Sequence, residues 1–218
     1  MTTTTPSPAT AVVEIPRTRR GSRRDVVLWA AIDVMTEVGY HGASVRDIAD
    51  RAGVTTTSIY HYFGSKENLL REIMVASLTE VVGLTRTALE RAPEDPSAQL
   101  AALVRAWIDF HTRRRSLARI SAIELRSVEG EARAEVLGLR DEQELLFRGL
   151  VERGAALGVF RTEFPREATR AVLQMGRDVS GWYVPGGPLS AAEIAEQYVV
   201  LALDLLRSGM TDEEQTWN

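Results

Sequence analysis

Residues 43–70 read ASVRDIADRAGVTTTSIYHYFGSKENLL. Val45, Ile48, Ala49 and Ala52 recur there at helical spacing. Ser44 precedes them as an N-cap with Asp47 three residues on, and Gly53 closes the run. Thr55 then opens a second short helix to about Tyr62, ahead of Gly64. Two helices of this length, joined through Gly53-Val54-Thr55, have the size and turn of a helix-turn-helix. The second starts on four hydroxyl residues, Thr55, Thr56, Thr57 and Ser58. That makes a poor helix interior but a good DNA-reading end, because hydroxyls reach phosphates or base edges and threonine methyls pack on thymine methyls. Amides at a helix N-terminus favour phosphate as well. Ile59 faces inward, while Tyr60, His61 and Tyr62 suit the sugar–phosphate rim. Lys66 falls in the first turn of the next helix, where the dipole disfavours a cation, so an external phosphate would account for it.

Outward from this stretch the chain reads as helices. Upstream, Val27, Ala30, Ala31, Val34 and Val38 form a stripe ended by Gly39. Downstream, Ser65 caps a long helix that stops before Pro93, and another runs from Pro96 to the arginines 113–115. Ser116 is placed to cap a helix to about Glu129, and Glu131 to Leu157 makes a longer one. Pro165 opens the next at a first helical position, Pro185-Gly186-Gly187-Pro188 breaks it, and Ser190 with Glu193 forms a capping box for a last helix ending near Gly209. No stretch shows sustained period-two alternation. The expectation is an all-α protein of about nine helices.

The 218 residues are 44% hydrophobic and 26% charged, enough for a sizeable core. No cysteine occurs, which excludes disulfides, thiolate metal sites and cysteine nucleophiles. His41, His61 and His111 are scattered over different elements without metal-ligand spacing, and no nucleophile elbow, P-loop or dinucleotide fingerprint is present. Neither catalysis nor a metal or cofactor is expected. The apolar run Tyr198–Leu203 stops at Asp204, far short of a bilayer span, and residues 1–15 do not read as a secretory signal. A cytoplasmic protein that does not engage the membrane is expected. Net charge is −4, yet residues 1–72 carry nine basic and eight acidic residues against seventeen and twenty-two in the remainder. Five arginines and no acid lie between Arg17 and Arg24. This asymmetry fits a DNA-facing head on an acidic body.

Residues 43–70, with flanks from about Val26 to Met74, resemble the DNA-binding signature of the TetR family of bacterial transcriptional regulators. The resemblance implies a three-helix head and a C-terminal helical domain that dimerises and binds a small molecule. The expected division is a disordered basic arm (1–22), a DNA-binding domain (23–70) and a ligand-binding and dimerisation domain (71–218). It also implies double-stranded operator DNA as partner. Ser44 and Arg46 would contact DNA from the first short helix, and Thr56, Thr57, Ser58, Tyr60, His61 and Tyr62 from the second, with Lys66 on a phosphate. The arm would reach the adjacent minor groove. The segment from Trp182 through Pro185-Gly186-Gly187-Pro188 to Ser190, with Glu196-Gln197-Tyr198, is similar to a TetR subgroup that senses CoA thioesters.

Polar residues on apolar stripes mark the expected effector pocket: His111, Glu124 and Gln143, with Trp107, Phe110, Phe147, Leu150, Met175 and Trp182 as walls. Arg113, Arg114, Arg115 and Arg119 would form a basic mouth suited to the phosphates of an acyl-CoA. Tyr198–Leu206 is apolar nearly all round, which predicts a homodimer through the last two helices, with Leu173 in the seam. The function expected is a repressor released from a palindromic operator by a small effector. A multidrug or hydrophobic-compound sensor and a ligand-independent DNA-binding protein remain the alternatives.

Overall fold

Local capping sets where the chain turns. In the computed structural model, which describes residues 21–207, α1 (Arg23–Gly42) starts at a reciprocal box between Ser22 and Asp25. Helix α2 (Val45–Ala52) starts at the same box between Ser44 and Asp47, and α3 (Thr56–Phe63) at Thr55, whose hydroxyl accepts from the Ser58 amide at 3.2 Å. Ser65 caps α4 (Lys66–Arg91), and Asp95 caps α5 (Pro96–Arg113). Then come α6 (Arg115–Ile123), a 3₁₀ turn (Glu124–Ser127), α7 (Gly130–Ala156), α8 (Pro165–Trp182) and α9 (Ala191–Arg207). The described residues are all-helical, as expected. The arginines 17, 19 and 20 of the expected arm lie outside the described residues.

Two boundaries differ from the sequence reading. Gly39 does break α1, at φ 74° and ψ 167°, but one more helical turn follows it. Only glycine enters that region without strain. The helix expected from Ser116 to Glu129 begins at Arg115 without a side-chain cap and gives way after Ile123 to the 3₁₀ turn. That early end has a tertiary cause: Glu124 accepts from the Tyr40 amide at 3.0 Å, just past the Gly39 break, and from the Ser127 hydroxyl at 2.8 Å.

Two apolar clusters fill the interior. The first joins Val27, Leu28, Ile32, Ile48, Ile59, Leu69, Leu70, Ile73 and Met74 to Leu117 and Ile120 of α6 and Val136 of α7. The second is built around α5, with Leu100, Leu103, Val104 and Ile108 against Phe147, Leu150 and Val151 of α7, Val172 and Val179 of α8, and Ile194, Val199, Ala202 and Leu206 of α9. Helix α4 runs through both, the first cluster reaching Leu78 and the second starting at Val81. The head therefore shares its core with α6 and α7. Gly176 lets α8 approach α5 closely, since a Cβ there would lie 2.3 Å from Cδ1 of Trp107. Among the described residues no helix is long and apolar enough to cross a membrane.

Candidate nucleic-acid interface and cavity

On the head, the structure sorts the expected DNA-contacting residues into two sets. Arg46, Thr56, Thr57, Tyr60 and His61 are exposed. The hydroxyls of Thr56, Thr57 and Tyr60 make no hydrogen bond within the described chain, so their donors and acceptors are free for a partner. His61 rests edge-on against Tyr62, and Arg46 sits 4.0 Å from Asp50 at high exposure. The second set is already occupied. The Ser44 hydroxyl donates to Asp47 at 2.6 Å, and those of Thr55 and Ser58 lie 3.0 Å apart and satisfy each other. Tyr62 packs on the head core. The expected phosphate role of Lys66 is replaced by an internal one. Its ammonium donates to the carbonyls of Tyr40 (3.0 Å) and Ala43 (2.8 Å) and lies 4.2 Å from the centre of the Tyr40 ring. Those carbonyls, at the end of α1, are what a cation satisfies best. Arg24 is likewise held, by Glu72 and over the Phe63 ring, so the arm's charge does not extend to it.

In the body, a cavity of about 230 Å³ opens between α4, α5, α6, α7 and α8. Trp107, Phe110, His111 and Gln143 line it as expected. Leu78, Val81, Ala118 and Leu173 add apolar wall, Ser77 and Ser121 add hydroxyls, and Leu137, Arg140, Asp141, Glu144 and Arg177 add a more polar portion. Five expected pocket residues lie elsewhere. Phe147 and Leu150 are ordinary core, Met175 packs against that core, and Glu124 holds the end of α1. Trp182 is 46% exposed at the end of α8. Projection onto a single helix gives the correct face for Phe147 and Leu150, but it does not tell cavity wall from solid core. Leu173 also departs from expectation. It is buried within its own chain, and its carbonyl accepts from Trp107 Nε1 at 3.1 Å, so it does not belong to an outer seam.

Burial sets the charges here. His111 Nδ1 hydrogen-bonds the Trp107 carbonyl at 2.7 Å, while burial, against that bond, pushes its pKa down to about 4. The sign follows from neutrality: above pH 6.5 the ring is uncharged both folded and unfolded. As pH falls from 6.5 towards 4, only the unfolded chain takes up the proton. Wild type should therefore lose about 3 kcal/mol relative to His111→Gln across that window. Urea denaturation of both proteins at each pH checks this, and parallel curves would contradict it.

Arg140 and Arg177 are partly buried, and neither forms an ion pair within 4 Å among the described residues. Arg140 donates to the Ser121 carbonyl, and Arg177 to the Gln174 side chain at 3.2 Å. Burial, then repulsion from Arg177 and Arg133, pushes Arg140 down to about 10, and burial pushes Arg177 down as well. Sequence reasoning missed both, because each sits on a helix rich in solvated charge.

Three of the four arginines expected at the mouth have structural partners instead, while Arg119 is exposed on α6 and does not line the cavity. Arg113 pairs with Asp109 at 2.5 Å on its own helix. Arg114 grips Glu80 through both Nε and Nη2 at 2.8–3.1 Å and lies over the Trp29 ring. Arg115 donates to the Ser180 carbonyl at 3.4 Å. Arg114→Met should accordingly cost about 2–3 kcal/mol by stranding Glu80, while the double change with Glu80→Met recovers most of it. Thermal melts of the single and double variants decide the point.

Residues 27–73 match the family described as bacterial regulatory proteins, tetR family, and residues 93–206 match the tetracyclin repressor-like C-terminal domain. Over 191 residues the chain is 32% identical to the HTH-type transcriptional repressor KstR2 of Rhodococcus jostii (strain RHA1), spanning 87% of this chain and 93% of that one. The ketosteroid transcriptional regulator KstR2 of Mycobacterium tuberculosis shares the fold with a TM-score of 0.81 at 25% identity, over 90% of this chain and all (100%) of that one. AibR, whose crystal structure holds isovaleryl coenzyme A and operator DNA, shares it with a TM-score of 0.72 at 23% identity, over 85% and 98% of the two chains.

Proposed function

Since this chain belongs to the tetR family of bacterial transcriptional regulators, we propose that it is a homodimeric repressor released from an inverted-repeat operator by a CoA thioester. The observation that carries the effector class is the guanidinium pair Arg140 and Arg177 at the polar portion of the cavity, beside the apolar wall of Leu78, Val81, Phe110 and Leu173. Neither partly buried cation has a carboxylate within ion-pair distance among the described residues, although Asp141 and Glu144 line the same cavity and Glu144 attracts Arg177 from further off. An added anion is therefore favourable there, and guanidinium forks suit phosphate. At about 230 Å³ the cavity falls below the roughly 300–1,000 Å³ of sites that enclose a whole drug-sized ligand. It therefore takes the acyl portion, and the nucleotide lies at the arginines and beyond. The fold accommodates such a ligand, as AibR with isovaleryl coenzyme A shows for that protein.

DNA is read by the exposed set on α2 and α3: Arg46, Thr56, Thr57, Tyr60 and His61. The reading divides the chain near residue 70 into DNA-binding and effector-binding parts and places the protein in the cytoplasm with its operator. The effector acts by preferring the state whose two heads no longer match the half-site spacing, since equal affinity for both states would shift nothing. The test is a DNA-release titration with a panel of CoA thioesters, their free acids and neutral drug-like compounds. Release by thioesters, with Arg177→Gln raising the required concentration about tenfold and leaving effector-free operator affinity unchanged, is expected. Release by neutral compounds alone would establish a hydrophobic-compound sensor instead.

A further inference from the structure

Three polar side-chain atoms on the cavity's buried wall have no partner among the described residues: Ser77 Oγ on α4, Ser121 Oγ on α6 and Gln143 Nε2 on α7. Their residues are only 1%, 4% and 4% exposed. Elsewhere in this chain, buried helical hydroxyls behave differently. Thr112 and Thr169 each return the proton to the carbonyl four residues back, at 2.8–2.9 Å, and Ser180 donates to the Arg177 carbonyl at 3.0 Å. Ser77 and Ser121 do neither. The Gln143 amide is half satisfied, its Oε1 accepting from Thr85 Oγ1 at 3.1 Å. Turning the amide round would pair Nε2 with Thr85 and strand Oε1 instead, so one end lacks a partner in either orientation. Beside them, His111 spends Nδ1 on the Trp107 carbonyl and, being neutral, offers Nε2 as an acceptor. Donors and acceptors from four helices thus face one small space.

We infer that this wall reads an oxygen function, a hydroxyl or ketone, carried on the acyl group of the effector, and discriminates against a plain hydrocarbon acyl group. The inference rests on the cavity being the effector site. Leu78, Val81, Phe110 and Leu173 contact a hydrocarbon and its oxygenated analogue about equally, so they do not discriminate. The three unpaired atoms do: a hydrocarbon seals them from water without a partner, whereas an oxygen that both donates and accepts, or a carbonyl facing their donors, pairs with them.

The experiment compares matched pairs by calorimetry and by operator release. One pair is cyclohexanecarbonyl-CoA and its ring-ketone analogue, the other octanoyl-CoA and its terminal hydroxy analogue, each repeated with the free acids. The oxygenated member of at least one pair should bind about tenfold tighter or more. In Ser77→Ala combined with Gln143→Met that ratio should fall to within about twofold. Ser77→Ala and Ser121→Ala alone should melt no lower than wild type, because neither hydroxyl has an internal bond to lose. Equal or reversed preference in every pair, or a preference the double variant leaves intact, overturns the inference. A preference among free acids with no binding of thioesters upholds it and overturns the effector class proposed above. Thioester release without preference does the reverse, and no binding of any probe at millimolar concentration overturns both.

Discussion

Leu201→Glu should convert the dimer to monomer and lower operator affinity by on the order of 10²–10⁴-fold. Helix α9 buries Val199, Ala202 and Leu206 against α5 and its neighbours, while Val200 and Leu201 stand 56% and 50% exposed on the opposite side. The outward stripe of α8, through Ala171, Gln174, Asp178 and Trp182, is exposed too. In the proposed homodimer a second copy would cover Val200, Leu201 and Trp182 through an isologous contact, in which each introduced glutamate would lie near its own symmetry mate. The two like charges then repel across a dehydrated seam. The single chain tolerates the change, because Leu201 is half in water already, so its melting temperature in the monomer should hold. One head alone reads one half-site, and the gain from linking two heads is lost. Sedimentation at micromolar concentration, beside a gel-shift titration on a selected operator, gives both readouts. A variant that stays dimeric would move the interface off α9.

What was legible in the sequence was what is local. The capping boxes at Ser44 and Ser190, the cap at Thr55 and the helix-opening prolines 96 and 165 involve partners within a few residues, and all are realised. What the sequence did not show was the distant partner of Lys66, of Arg114 and of Glu124. Lys66 was out of place for its own helix dipole, which correctly signalled a partner, but that partner is the end of α1, more than twenty residues away. Arg114 belongs to Glu80, and Glu124 to the Tyr40 amide. The cavity was half legible. His111 and Gln143 interrupt apolar stripes and so declare themselves, whereas Ser77 and Ser121 are small enough to pass as helix filler. Arg140 and Arg177 differ from the many solvated arginines only in being packed among five helices. Leu173 shows the same limit, because an apolar side chain off the main stripe has two possible covers, its own domain or a second copy.

Thr57→Ala and Tyr60→Ala together should lower the ratio of operator to non-specific binding by on the order of 10²-fold or more. Both side chains project from α3 into solvent, Tyr60 at 53% exposure, and neither hydroxyl is committed within the described chain. Removing them costs little folding free energy, as for surface changes that break no cap or core contact. Each base-edge contact is worth about 1–3 kcal/mol, and a two-fold operator loses it twice. Neighbouring hydroxyls give the contrast. Ser44 and Thr55 cap α2 and α3, so Ser44→Ala or Thr55→Ala should instead cost about 1 kcal/mol of stability and leave the specificity ratio near wild type. The measurement is a competition titration of operator against random duplex at fixed salt, with a urea melt of each variant. Should the capping variants lose specificity while the double variant keeps it, the DNA-reading surface would lie on the loops into α2 and α3 rather than along the exposed face of α3.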